Sequence, residues 1–360
     1  MQPLTEEKLG HFLKTNYENY NYNQTSMGLI LTDKCPVACR HCISDNSVCS
    51  GETINLATLK KRISKIKELG NYKYLVITGG EPFFEFDKLL KVVNFSDNYN
   101  LKTSVVTSAY WARSKKQANE IVSLLSNEGL KGIALSVDYF HQEKIDIKNI
   151  VNVLEACKLF NLPCTIIFTQ TGKPEKDLEV SEKLLKTVPL TLKNSLKISV
   201  GSILNSGRAY LNHLGPFYSE NKSNEPLKCI SMGKIIRSDG RIALCCGASL
   251  PLDSPLIAGD IDNEDAGELK TSLTDNFLIP FIEIFGLRWM AREIEKEFAL
   301  KYFDFNEFKI ENRCNICFKI LSDRKLYDYF NHLIQIEEVQ EMIRSNYLLL
   351  YGYDWKFNKT

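Results

Sequence analysis

Residues 27–42 read MGLILTDKCPVACRHC, an apolar run followed at once by three cysteines. The run MGLILT has the length and composition of a short buried strand. Five runs of the same kind follow along the chain, at 73–78, 102–107, 132–137, 163–169 and 195–200. Helical patterns separate the runs, for example at 55–69, 114–129 and 148–161.

Strands rich in Val and Ile that alternate with helices predict repeated βαβ units and a parallel sheet. Six units between residues 26 and 210 fit a partial (β/α)6 TIM-like barrel of the α/β class better than a complete eight-unit barrel. A doubly wound sheet is the competing architecture.

The pattern changes near residue 210, where the alternation of runs and helices stops. The stretch GKIIRSDGRIALCC (233–246) predicts a β-hairpin with Asp239-Gly240 as a two-residue turn. We therefore expect four parts: an N-terminal extension (1–25), the barrel (26–210), a small cysteine-bearing domain (211–320) and a helical segment (321–360).

Composition excludes several classes of partner. A net charge of +1 over 360 residues offers no general attraction to nucleic acid or to an anionic membrane. No apolar stretch is long enough for a spanning helix or a signal-peptide core. The chain is expected in the cytoplasm, where eleven cysteines indicate metal ligation or reactivity rather than disulfides.

Cys35, Cys39 and Cys42 follow directly after the first predicted strand. Chemistry collects at the carboxyl ends of strands in parallel βα folds. Three thiolates can hold an iron–sulfur cube and leave one iron open to a substrate. The alternative is a zinc knuckle completed by Cys49 or His41.

TGGEP (78–82) stands at the end of the second predicted strand. Its two glycines let backbone approach a ligand closely, and a glutamate can accept from an ammonium group. An ordinary tight turn is the alternative. The cysteine spacing together with this motif resembles the radical S-adenosylmethionine (SAM) enzymes.

The resemblance implies a 4Fe–4S cluster on Cys35, Cys39 and Cys42, whose open iron binds SAM. It further implies that the motif holds the methionyl amine of SAM, through Gly79, Gly80, Glu81 and Pro82. Other positions that match cofactor contacts of the family are His41 near the adenine, Thr107 with Ser108 in the pocket, Ser136 and Asp138 at the ribose, and Arg208 at the carboxylate. His141 is expected to be a surface or loop histidine.

Five more cysteines lie beyond the predicted barrel. Four thiolates from two regions can close around a second cluster with no open iron, and the expected ligands are Cys229, Cys245, Cys314 and Cys317. This arrangement resembles the short "twitch" form of the SPASM domain of peptide-modifying radical SAM enzymes. A zinc site on the same four residues is the alternative.

Cys246 is the remaining downstream cysteine. If Cys245 and Cys246 lie on a strand, their side chains point to opposite faces, so Cys246 faces away from the second cluster and toward the barrel mouth. A thiol there can return a hydrogen atom to a carbon radical. The alternative is an inert core cysteine.

These features resemble radical SAM enzymes that modify ribosomally made peptides, and the paired cysteines favour an epimerase that converts L- to D-residues. The implied partners are a precursor peptide and an electron donor such as flavodoxin or ferredoxin. A maturase that forms thioether or carbon–carbon cross-links is the alternative enzyme. A non-enzymatic iron–sulfur or zinc protein is the alternative from another class.

Overall fold

The computed structural model describes residues 22–51, 53–203, 207–214, 229, 233–246, 250, 253–274, 276–299 and 313–351. Most of the expected N-terminal extension, residues 1–21, lies outside the described residues. The side chain of Cys314 also lies outside what is described.

All six predicted strands are present. Their bounds are β1 (Ser26–Thr32), β2 (Tyr74–Gly79), β3 (Lys102–Thr107), β4 (Gly132–Ser136), β5 (Cys164–Gln170) and β6 (Lys197–Ser202). They pair in parallel and in sequence order, β1 to β6. Because the six strands follow sequence order, unlike those of a doubly wound sheet, and β6 does not pair with β1, they form a partial barrel, as predicted.

Helices connect successive strands. Their bounds are α1 (Leu56–Glu68), α2 (Phe86–Asn98), α3 (Lys115–Asn127), α4 (Tyr139–Gln142), α5 (Ile147–Leu159), α6 (Pro174–Thr187), α7 (Leu190–Lys193) and α8 (Gly207–Leu211). Polar caps fix the starts of several: Asn55 accepts from the Thr58 N–H at 2.8 Å, and Ser114 accepts from the Gln117 N–H at 3.2 Å. These bonds satisfy amide groups that the first turn leaves without partners.

The main core lies between the helices and the sheet. Met27, Leu29 and Leu31 of β1 are fully buried there, together with Leu59 and Ile63 of α1. Burial of these aliphatic side chains is the chief stabilising contribution that sets the helices on the strands. The strand ends are thereby held in one row, where the polar residues that follow them meet.

The chain beyond the barrel extends the same sheet. Its strands are β7 (Lys234–Ile236), β8 (Arg241–Ala243) and β9 (Ile257–Asp260). Strand β7 pairs in parallel with β1, with Met27 opposite Lys234, and β8 and β9 follow antiparallel. The predicted hairpin is therefore joined to the first barrel strand.

The hairpin turn differs from the expected two-residue type. Arg237 still donates to the Arg241 carbonyl at 2.9 Å, so three residues, 238–240, form the turn. Gly240 has φ +87°, the left-handed conformation that a three-residue hairpin needs at its last position. Asp239 caps the turn by accepting from the Arg241 N–H at 3.1 Å.

Six further helices complete the described chain: α9 (Ala266–Thr274), α10 (Leu278–Phe285), α11 (Leu287–Phe298), α12 (Arg313–Ser322), α13 (Arg324–Gln335) and α14 (Glu337–Tyr351). Helices α10 to α14 enclose a second hydrophobic core around Phe281, Met290 and Phe330. Among the helices of the described ranges, none has the length and apolar character needed to cross a membrane.

Candidate active site

A cavity of about 380 Å³ lies where five barrel strands end. Each strand contributes at or near its carboxyl terminus: Ile30 of β1, Thr78 and Gly79 of β2, Thr107 of β3, Ser136 of β4 and Thr169 of β5. The sequence analysis predicts the functional residues at this edge of the sheet. The volume lies in the range of pockets that bind small molecules and cofactors.

The three cysteines of the first motif all line this cavity. Their loop is braced by backbone bonds, in which Cys35 donates to Ser47 at 2.9 Å and Cys42 donates to Cys39 at 3.2 Å. Burial is the main cause that raises the pKa of the Cys35 thiol. A bare thiolate is therefore costly here, whereas a thiol bound to a metal is deprotonated outright.

Arg208 fastens the cysteine loop from outside the motif. Its guanidinium donates to the Cys39 carbonyl at 2.9 Å, to Asp45 at 3.0 Å and to the Asn46 carbonyl at 2.6 Å. Its backbone N–H donates to Cys42 at 2.8 Å. The structure thus gives Arg208 a role in positioning the loop, and its contact with a cofactor carboxylate stays a prediction.

The Gly-Gly-Glu-Pro segment lies directly against the cysteine loop. Gly80 donates to the Thr32 carbonyl at 2.7 Å, and Glu81 donates to the Lys34 carbonyl at 2.9 Å. A Cβ atom at Gly79 or Gly80 would overlap those same backbone carbonyls. The glycines are therefore required for the two motifs to meet, in addition to lining the cavity.

Glu81 is a buried carboxylate within this wall. It accepts from the Thr107 hydroxyl at 2.8 Å and from both the N–H and the hydroxyl of Ser108, at 2.9 and 2.5 Å. Burial is the largest influence and raises the pKa of Glu81, while these hydrogen bonds oppose the rise. A carboxylate held in this way suits a cationic ligand, because an opposite charge would offset the part of its desolvation that the hydrogen bonds leave.

Pro82 lies at the start of a short helix, outside the described cavity lining. It begins the short 3-10 helix Pro82–Glu85 and is buried. Pro82 is absent from the cavity lining found among the described residues, so the structure gives it a part in shaping the motif, and its contact with a cofactor stays a prediction.

The end of β4 carries a histidine network. Asp138 is fully buried, caps α4 by accepting from the Phe140 and His141 N–H groups, and bonds to His141 Nδ1 at 2.7 Å. Despite burial, which opposes the shift, the two nearby histidines hold the pKa of Asp138 well below its usual range. Ser136 lines the cavity whereas Asp138 stands behind it, so a ribose contact by Asp138 stays a prediction.

His41 and His141 both line the cavity. His41 stacks on Phe140 with ring centroids 4.7 Å apart and leaves its buried Nδ1 without a hydrogen-bond partner among the described residues. The expectation that His141 is a surface histidine is wrong, because its bond to Asp138 draws it into this wall. The sequence signal was its place three residues after a helix-capping aspartate.

One ligand atom each of Cys39, His41 and His141 lies within 4.8 Å of the others. This group differs from the expected zinc ligands, because it contains one of the three cysteines and adds His141. Cys49 is exposed and is not part of the described cavity lining, so nothing here supports a knuckle completed by that residue. Three thiols, an open cavity and a buried carboxylate fit a three-cysteine cluster with a bound amine at least as well.

Cys245 and Cys246 lie in the bend that follows β8, which ends at Ala243. The expectation that they occupy a strand is wrong, because ladder pairing stops at Ala243. Their side chains nevertheless separate: Cys246 lines the central cavity, and Cys245 packs against the second core. The role of Cys246 as a hydrogen donor stays a prediction.

The other downstream cysteines lie with Cys245. Cys229 and Cys317 also pack against the second core. Cys314 precedes Cys317 by three residues on α12. These positions are compatible with the expected four-cysteine ligand set, which stays a prediction.

The comparison with known families concerns the partial barrel and its three-cysteine cavity. Residues 29–185 match the model of the Radical SAM superfamily. These residues therefore match a radical SAM domain, and that family implies a 4Fe–4S cluster and SAM.

Several known proteins resemble the chain. The uncharacterized protein MJ0907 of Methanocaldococcus jannaschii is 26% identical over 216 residues, which are 55% of this chain and 74% of that protein. The structure of anSMEcpe with bound AdoMet matches at 15% identity and TM-score 0.48, over 86% of this chain and 99% of that one. SuiB of Streptococcus suis with S-adenosylmethionine matches at 14% and 0.42, over 79% and 75%. At these TM-scores the fold rests on the strand order and register described above.

Proposed function

We propose that this radical SAM enzyme epimerises residues of a ribosomally synthesised peptide, with Cys246 as the hydrogen donor. The observation that carries the proposal is that Cys246 lines the same cavity as Cys35, Cys39 and Cys42. A thiol on this wall faces the space in which a substrate carbon would react. The setting is a reducing, cytoplasmic one, in which these thiols stay reduced.

The residues of the cavity have distinct tasks. Cys35, Cys39 and Cys42 would hold the cluster, and Glu81 with Gly79 and Gly80 would hold SAM. When bound, these groups supply a 5′-deoxyadenosyl radical that removes the Cα hydrogen of a substrate residue. The surrounding buried wall of Thr107, His41 and Phe140 excludes water from a reactive carbon.

Cys246 then completes the exchange. Its S–H bond breaks, a C–H bond forms on the opposite face of the Cα carbon, and the sulfur is left as a thiyl radical. One electron and one proton restore the thiol. An auxiliary cluster, which Cys229, Cys245, Cys314 and Cys317 would hold, would supply that electron, and the external donor of the first cluster would replace it.

The test is mass spectrometry of candidate precursor peptides, such as short peptides encoded beside the gene, after anaerobic reaction in deuterated water. A thiol exchanges its proton with solvent, so each epimerised residue is expected to gain one deuterium. Cys246→Ala is expected to form 5′-deoxyadenosine yet no D-residue. Cys49→Ala removes an exposed cysteine outside the cavity and is expected to behave as wild type.

Two results would overturn the epimerase assignment. One is normal D-residue formation by Cys246→Ala, which would remove the proposed donor. The other is a product two hydrogen atoms lighter than the substrate, which would mark a cross-linking maturase that needs no protein hydrogen donor.

A further inference from the structure

A second groove, of about 340 Å³, lies on the outer side of the wall that carries the Gly-Gly-Glu-Pro motif. Phe83, Phe86, Tyr110 and Trp111 line it, with Arg113, Gln117 and Ile121 at the start of α3. Phe83 and Trp111 stack with ring centroids 4.3 Å apart. The groove thus has an aromatic floor and an exposed basic and polar rim.

One layer of side chains separates this groove from the cysteine loop. Tyr110 lines the groove and also packs, with Cys35, against the cluster of Val37, Cys39 and Ile145. The Tyr110 ring therefore lies between the groove and the cysteine loop.

A second contact joins the groove to the cavity wall. The Trp111 indole N–H donates to the Thr107 hydroxyl at 3.1 Å, and that hydroxyl donates to Glu81 at 2.8 Å. The groove is therefore the reverse side of the wall that would hold the cofactors. If SAM and substrate occupy the cavity, the groove side of the wall is open to a protein that delivers an electron.

Charge indicates the kind of partner. Lys115, Lys116 and Lys88 each lie within 4.0 Å of a carboxylate, those of Glu155, Glu120 and Glu85. Arg113 lies on the rim and has no carboxylate that close in the part of the chain the structure describes. An exposed cation beside an aromatic floor suits a small, transient contact with an acidic protein.

We propose that this groove docks the electron donor, an acidic protein that carries one electron on a flavin or an iron–sulfur centre. The donor loses one electron, and the cluster on Cys35, Cys39 and Cys42 gains it. The inference rests on the proposed function only for the presence of a reducible cluster.

The test compares a protein donor with a small chemical one. SAM cleavage is measured with flavodoxin, kept reduced by its reductase and NADPH, and separately with dithionite. Arg113→Glu is expected to raise the KM for flavodoxin about tenfold at low ionic strength. Dithionite-driven cleavage is expected to match wild type, because the small reductant needs no docking surface. The matched control is Arg324→Glu on α13, where the arginine side chain is 95% exposed, and it is expected to change neither rate.

Each contrary outcome has a definite meaning. An unchanged flavodoxin KM in Arg113→Glu would overturn the docking proposal. A raised KM for the peptide under dithionite, with an unchanged flavodoxin KM, would make the groove a substrate surface and also overturn it. If the wild-type protein did not cleave SAM with dithionite, that result would instead contradict the proposed function itself.

Discussion

Glu81 is a buried, acidic residue of the Gly-Gly-Glu-Pro motif. Its carboxylate lies inside the cavity wall and accepts hydrogen bonds from Thr107 and Ser108. Those bonds orient it without supplying a positive charge. A bound ammonium would supply that charge, which is the part that the resemblance gives to the amine of SAM.

Glu81→Gln keeps the shape of the side chain and removes its charge. Loss of a charge-assisted hydrogen bond to an ammonium costs about 1.5 to 3 kcal/mol, so SAM affinity should fall by about tenfold to a hundredfold. Equilibrium dialysis with the reconstituted enzyme measures it. Glu85→Gln is the control, because Glu85 ends the short helix that Glu81 caps and is bonded to Thr53. Equal loss in both variants would contradict a specific role for Glu81.

At the scale of single residues, the functional residue types were predictable from the sequence, whereas their hydrogen-bond partners were not. Local spacing revealed Cys35, Cys39 and Cys42, because all three lie on one loop. No local sequence pattern indicated that Arg208 would hydrogen-bond to that loop across more than 160 residues of sequence. Side-chain partnership across such separations depends on the packed fold, which local sequence patterns do not contain.

Helix α1 contacts the chain beyond the barrel most extensively through Arg62. Arg62 is buried and donates to both oxygens of Asp262, at 3.0 and 2.6 Å, and to the carbonyls of Arg237 and Ser238, both at 3.0 Å. These acceptors belong to the β7–β8 turn and to the loop after β9. The hairpin is thereby fastened to α1 as well as to β1.

Arg62→Ala should lower the free energy of unfolding by about 1 to 3 kcal/mol, because it leaves the half-buried Asp262 carboxylate and two carbonyls without their donor. Lys67→Ala removes an exposed cation from the same helix and should change stability by less than about 0.5 kcal/mol. Denaturant unfolding of both variants provides the comparison. Similar small losses in both would show that Arg62 does not fasten the hairpin.

The secondary-structure elements were the part of the fold that the sequence predicted best. Runs of Val and Ile and amphipathic periods located six strands and their helices within a few residues, because each signal is local. The hairpin was also found, but its pairing with β1 was not, since a strand of three residues carries no mark of its neighbour. The extra turn residue arose from the Arg237–Arg241 bond, which composition alone does not indicate.

At the scale of the molecule, the candidate ligand cysteines form two groups in different surroundings. The first group lines the cavity at the barrel edge, and Cys229, Cys245 and Cys317 pack against the second core. Cys246 lies next to Cys245 in the chain yet faces the cavity. The sequence could count these cysteines but could not separate the pair by strand alternation, because both lie in a bend.

Iron content and SAM cleavage, measured together on one pair of proteins, test the central claim that the first cysteine group holds the SAM-cleaving cluster. Fully loaded wild type should contain about eight irons, four in each cube, and should form 5′-deoxyadenosine under anaerobic reduction. The triple variant Cys35→Ala, Cys39→Ala and Cys42→Ala should keep about four irons and form none. Unchanged 5′-deoxyadenosine formation by the triple variant would contradict the account.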